Sequence, residues 1–121
     1  MDHVILMKSS IPMLRIFDVA KAREFYVEYL GFQVDWEHRY GDDFPLYMQV
    51  SWGECVIHLT EHYGDCCPGG GLRIEVSDIQ AFHQLLHSRP YRYARPGLDD
   101  QATEMAISDP FGNRLIFHKA R

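Results

Sequence analysis

Basic charge is scarce in this chain, and so is cysteine. Twelve Lys and Arg stand against seventeen Asp and Glu, a formal net charge of −5, and the basic residues are dispersed where phosphate contacts need them clustered. Nucleic acid and anionic membrane are not expected partners. Cys55, Cys66 and Cys67 are the three cysteines; an odd number with two adjacent makes a poor disulfide framework, so free thiols in a reducing cytoplasm are expected. The adjacent pair also lacks the spacer of a C-x-x-C motif. No apolar run approaches the ~20 residues of a bilayer span. The opening MDHVILMKSSIPM has neither a basic region before its short apolar stretch nor a small-residue cleavage site, and does not read as a signal peptide. Ser51, Ser77 and Ser108 fall at strand ends without the strained elbow of a serine hydrolase.

What remains is an ordinary globular composition, 46% hydrophobic and 24% charged over 121 residues, enough for one domain with a real core. One string invites a sharper reading. His58-Leu59-Thr60-Glu61-His62 spells H-x-x-E-H, a zinc-protease pattern that requires a helix, where residues four apart lie roughly 6 Å from each other. Here the β-branched run from Cys55 precedes it and a Gly-, Asp- and Pro-rich stretch follows, so a strand that turns is expected. Four strand positions span about 13 Å, too far for two imidazoles to share one ion.

Hydrophobic periodicity supplies the elements. Ile11 to Phe17 alternates as a strand; Asp18 is a helix N-cap; Ala22, Phe25, Tyr26, Tyr29 and Leu30 form the helical stripe that Gly31 stops. Strands are expected over Phe32–His38, Leu46–Ser51 and Cys55–Thr60, with Trp52-Gly53-Glu54 as a hairpin connection. After the glycine-rich linker the order restarts. Leu72–Val76 is a strand, Asp78 a second N-cap, and Ile79, Phe82, Leu85 and Leu86 a second stripe. Strands then follow near Tyr91–Arg95, Thr103–Ser108 and Asn113–His118, the last two joined by the tight turn Asp109-Pro110-Phe111-Gly112-Asn113. An offset of sixty places Leu14, Ile16, Asp18, Val19 and Phe25 on Ile74, Val76, Asp78, Ile79 and Leu85. The fold class is thus α+β: one domain over residues 1–121, with two tandem β-α-β-β-β modules, about 11–66 and 71–119, whose sheets curve around a cleft formed within the chain or across a dimer.

The runs IPMLRIFDVAKAREFYVEYLGFQVDW, CVIHLTEH, LRIEVSDIQAF and EMAISDPFGNRLIFH resemble the bleomycin resistance proteins of the glyoxalase, or vicinal oxygen chelate, superfamily. The resemblance covers nearly the whole chain and implies a homodimer with two concave sites. It also implies where metal-using members carry their ligands: Ile11, His58, Gly71 and Ile116 in this sequence, of which only His58 has a donor side chain. One imidazole does not hold a divalent ion durably. The expectation is therefore a metal-free protein without cofactor that binds a small molecule, an amphipathic or cationic antibiotic being the type, with Trp36, Tyr40, Trp52, His58, Thr60, Arg73, Glu75 and Glu104 as ligand contacts. His58 is either a ligand-contacting imidazole or a satisfied core histidine. Trp36 and Tyr47 are either stacking surface or core and interface aromatics; Arg73 with Glu75 and Glu104 is either a charged wall or a surface ion cluster. Arg73 and the DDQAT segment, Asp99 to Thr103, replace aromatic features of some bleomycin binders. The rival readings are a metal-dependent lyase, isomerase, dioxygenase or thiol transferase using His58, and a regulatory module that keeps the fold without binding.

Overall fold

Aspartates open both helices. The Asp18 carboxylate accepts from the Lys21 N–H at 3.0 Å, and Asp78 accepts from the Ala81 N–H at 3.0 Å. Each satisfies one of the N–H groups that a helix start leaves without a partner. The computed structural model describes residues 4–90 and 96–120. In chain order it contains β1 (Met13–Arg15), α1 (Val19–Arg23) continuing as a π-helix over Glu24–Tyr29, β2 (Gln33–His38), β3 (Tyr47–Trp52) and β4 (Cys55–Thr60). The second module has β5 (Gly71–Val76), α2 (Ile79–Ser88), β6 (Gly97–Leu98), β7 (Glu104–Ser108) and β8 (Arg114–Lys119). The expected strand at Tyr91–Arg95 lies outside the described residues.

Two four-stranded sheets result, ordered β1-β4-β3-β2 and β5-β8-β7-β6, with the β1–β4 and β5–β8 pairs parallel and the others antiparallel. This is the tandem β-α-β-β-β architecture that the repeat predicts. The expected strand Ile11–Phe17 contracts to three residues, although single bonds extend its pairing: His58 N–H to the Pro12 carbonyl and Ile16 N–H to that of Thr60. The first helix also departs from expectation. Its second half winds as a π-helix, with the Leu30 N–H reaching the Phe25 carbonyl at 2.9 Å, and Phe25, Tyr26, Tyr29 and Leu30 are buried there. No helix among the described residues is long and apolar enough to cross a membrane.

One buried cluster takes side chains from both modules, among them Leu14, Phe25 and Met48 from the first and Phe82, Leu115 and Phe117 from the second. Polar bonds fix how the modules meet. The buried Asp109 carboxylate accepts from the N–H groups of Phe111 and Asn113, from the Asn113 amide and, at 2.6 Å, from the Tyr26 hydroxyl of the first module. Asn113 in turn donates to the Arg15 carbonyl at 2.8 Å and accepts from the Gly70 N–H at 3.0 Å. Gly112 closes the turn at φ +88°. The D-P-x-G-N segment is therefore the polar joint between modules, every one of these buried groups having its partner.

At the far end of the helices, an Arg89 guanidinium nitrogen donates to the Tyr29 carbonyl at 2.7 Å. Gly31 makes that approach possible: its φ is +97°, and a Cβ there would stand 2.9 Å from the guanidinium.

Candidate functional site

The register across the first sheet maps its concave face. Met13 pairs with His58, His58 with Gln49, and Gln49 with Trp36, giving one row; Arg15, Thr60, Tyr47 and His38 give the next. Ile57, Leu59, Met48 and Val50 alternate with these and are buried on the opposite, helix-bearing face. An irregularity in β2 decides the position of Trp36. The register shifts between Val34 and Trp36, leaving Asp35 without an opposite residue, so strict alternation is broken. Val34 opposes buried Val50, whereas Trp36 opposes Gln49 and is 43% exposed. Without the shift, Trp36 would follow Val34 onto the core side.

A directed chain of hydrogen bonds runs across this face. The Gln49 amide nitrogen lies 3.0 Å from Oδ2 of Asp35, and a carboxylate only accepts, so Gln49 must turn its NH2 toward Asp35 and its oxygen toward His58. That oxygen is 2.9 Å from Nε2 of His58, which therefore carries the proton. Nδ1 is then a bare acceptor and receives the Tyr47 hydroxyl at 2.7 Å. The negative charge of Asp35 thus sets the tautomer of His58 through Gln49.

The electrostatics agree with this assignment. Burial lowers the pKa of His58, which favours the neutral ring. Burial first, and then the charges of Asp65 and Cys66, raise that of Tyr47, which keeps its hydroxyl a donor. Hydrogen bonds, foremost from Gln49 and then Ser51, lower the pKa of Asp35 and keep it ionised.

Aromatic rings surround the chain. Trp36 and Tyr47 stack 8° from parallel with centroids 5.9 Å apart, and His58 meets both edge-on at 5.3 and 5.1 Å. His62 continues from Tyr47, and Tyr40 bridges His62 and His38. Trp36, Tyr40 and His58 of the expected contact set therefore share one surface. Thr60 lies in the same face but is fully buried, donating to Asp65 at 2.7 Å and accepting from the His62 N–H.

Trp52 stands apart. It ends β3 on the helix-bearing face and meets Phe82 edge-on at 5.4 Å, so it does not share a wall with Trp36. Its place at the strand end, read from sequence as part of a connection, decides which face it takes. Arg73, Glu75 and Glu104 belong to the second sheet. Arg73 pairs with Ile116 and Glu75 with His118, which in turn opposes Glu104. The Arg73 guanidinium bonds to Glu104 at 2.9 Å, an exposed ion pair of little energetic weight. Neither Asp35 nor Gln49 stands out in the sequence, although the polar alternation Tyr47, Gln49, Ser51 is a signal for Gln49.

The donor set does not fit a divalent ion. Both nitrogens of His58 are committed to Tyr47 and Gln49, and Gly71 and Ile116 lie in the strands with no ligating atom to offer. Ile11 precedes β1. No group of three or more His, Cys, Asp or Glu suited to a metal occurs among the described residues.

Comparison with known proteins places this geometry. No curated protein matches the sequence significantly. Solved structures share the fold. The bleomycin-binding protein from bleomycin-producing Streptomyces verticillus, complexed with copper(II)-bleomycin, is 24% identical, with 98% of this chain and 100% of that one covered and a TM-score of 0.69. TnmS3, an antibiotic-binding protein from Streptomyces sp. CB03234, is 22% identical over 97% of this chain and 100% of its own, with a TM-score of 0.70. The bleomycin resistance determinant encoded on transposon Tn5 is 19% identical, covers 95% and 99%, and has a TM-score of 0.68. A family model described as glyoxalase superfamily protein matches residues 2–121, and with the two βαβββ sheets in hand the chain belongs to the glyoxalase superfamily.

Proposed function

We propose that this protein binds a small amphipathic organic cation on the concave face of its first sheet and holds it without chemistry, as a sequestering protein does. The observation that carries the reading is the stacked Trp36–Tyr47 pair, exposed at Trp36, next to an Asp35 carboxylate held ionised by its neighbours. A flat aromatic surface with an adjacent negative charge favours a cation by ring quadrupole and by Coulomb attraction. His58, tied at both nitrogens, orients Tyr47 and Gln49 in this reading and does not ligate. The names of the structural neighbours, which include a complex with bleomycin, support a small-molecule ligand of the antibiotic kind. A homodimer in the cytoplasm is part of the proposal. Arg73, Glu75 and Glu104 of a second copy would then form the opposite wall.

The test is thermal or chemical denaturation with bleomycin and simpler aromatic cations. A ligand at 100 times its dissociation constant should stabilise the protein by about 2.7 kcal/mol, and Asp35→Asn and Trp36→Ala should each weaken binding. Absence of any shift across the panel leaves the regulatory-module reading. Metal analysis of the purified protein guards the other side: near-stoichiometric zinc, iron, nickel or manganese, lost in His58→Ala, would make the protein an enzyme instead.

A further inference from the structure

One sizeable cavity does not lie on the concave face. It opens between the β3–β4 hairpin of the first module and the β5–α2 segment of the second, with a volume of about 610 Å³, within the range of sites for drug-sized molecules. Trp52, Phe82 and Phe117 build its aromatic side, the rings meeting edge-on at 5.4 Å (Trp52–Phe82) and 5.0 Å (Phe82–Phe117). Glu54, Glu75 and Asp78 also line it, and among the described residues no Lys, Arg or His does. Asp78 is occupied in part with the cap of α2, but neither Glu54 nor Glu75 enters an ion pair among the described residues. Trp52 is 45% exposed there, a large apolar ring left open to solvent beside uncompensated carboxylates.

We infer that this intermodule cavity is a second ligand site, selective for lipophilic aryl cations. Aromatic edges and faces supply desolvation and quadrupole attraction, while the unpaired glutamates set the sign of the charge accepted. The two readings share Glu75 but are separable at Trp52 and Glu54, because Trp52 and Trp36 lie on opposite faces of the first sheet.

Tetraphenylphosphonium and tetraphenylborate, equal in shape and opposite in charge, provide the test by isothermal titration calorimetry on the full chain. The phosphonium should bind and the borate should not. Glu54→Gln, an exposed substitution that leaves the packing alone, should weaken the phosphonium by about tenfold, as should Trp52→Leu. Glu28→Gln, an exposed carboxylate of the first helix outside the cavity lining, should leave this binding unchanged. No phosphonium binding, equal binding of the borate, or undiminished phosphonium binding in Glu54→Gln and Trp52→Leu would each overturn the inference.

Discussion

The Tyr47 hydroxyl donates to Nδ1 of His58 at 2.7 Å, in the middle of a chain that ends on the Asp35 carboxylate. The imidazole is half-buried, so water can reach the partners it would leave behind. His58→Ala should therefore remain folded and lose about 1 kcal/mol, with Tyr47→Phe costing a similar amount. Urea denaturation followed by circular dichroism measures both, and wholesale unfolding of His58→Ala would reveal a structural hub.

The same histidine confers a dependence on pH. Because burial lowers its pKa in the folded state, the unfolded chain takes up this proton at higher pH than the native one. The contribution of His58 is full above about pH 6.5, the ordinary imidazole value, and is lost as pH falls through the lower native value. Urea midpoints between about pH 8 and 5 should drop more steeply in the wild type than in His58→Gln. Parallel profiles would mean that other groups carry the whole effect.

The turn that joins the modules should be the most sensitive polar feature. Asn113→Ala removes the partners of the Gly70 N–H and the Arg15 carbonyl at a fully buried position. A loss of about 3 kcal/mol or more is expected, against about 2 kcal/mol for Tyr26→Phe, which deprives Asp109 of one donor among several. Thermal midpoints rank the two, and a smaller effect in Asn113→Ala would contradict the burial argument.

Much of this fold is legible in the sequence because its signals are local. Asp18 and Asp78 act as caps, Gly31 and Gly112 take the positive φ that turns require, and the buried stripe from Ala22 to Leu30 is the one periodicity predicts. The site is less legible, for a physical reason: its composition depends on one displaced residue. Counting alternate positions from Phe32 assigns Trp36 to the core side, and only the shift at Asp35 exposes it beside Gln49. The π-winding of Glu24–Tyr29 is likewise not announced by the stripe, whose spacing fits an ordinary α-helix. Nor does any short-range pattern announce that Asp35 fixes the proton of an imidazole two strands away.

The first cap gives a simple check on local energetics. Asp18→Ala should cost about 1 kcal/mol by leaving the Lys21 N–H without its acceptor. An unchanged urea midpoint would indicate that solvent replaces the side chain there.

Asn113 reaches across 98 residues to the Arg15 carbonyl, and Asp109 across 83 to Tyr26. Neither half of the duplicated chain thus owns all the partners its interior polar atoms need. Severed at the glycine linker, the two peptides should stay largely unstructured alone and regain native spectra on mixing, a case of fragment complementation in which each repeat completes the other.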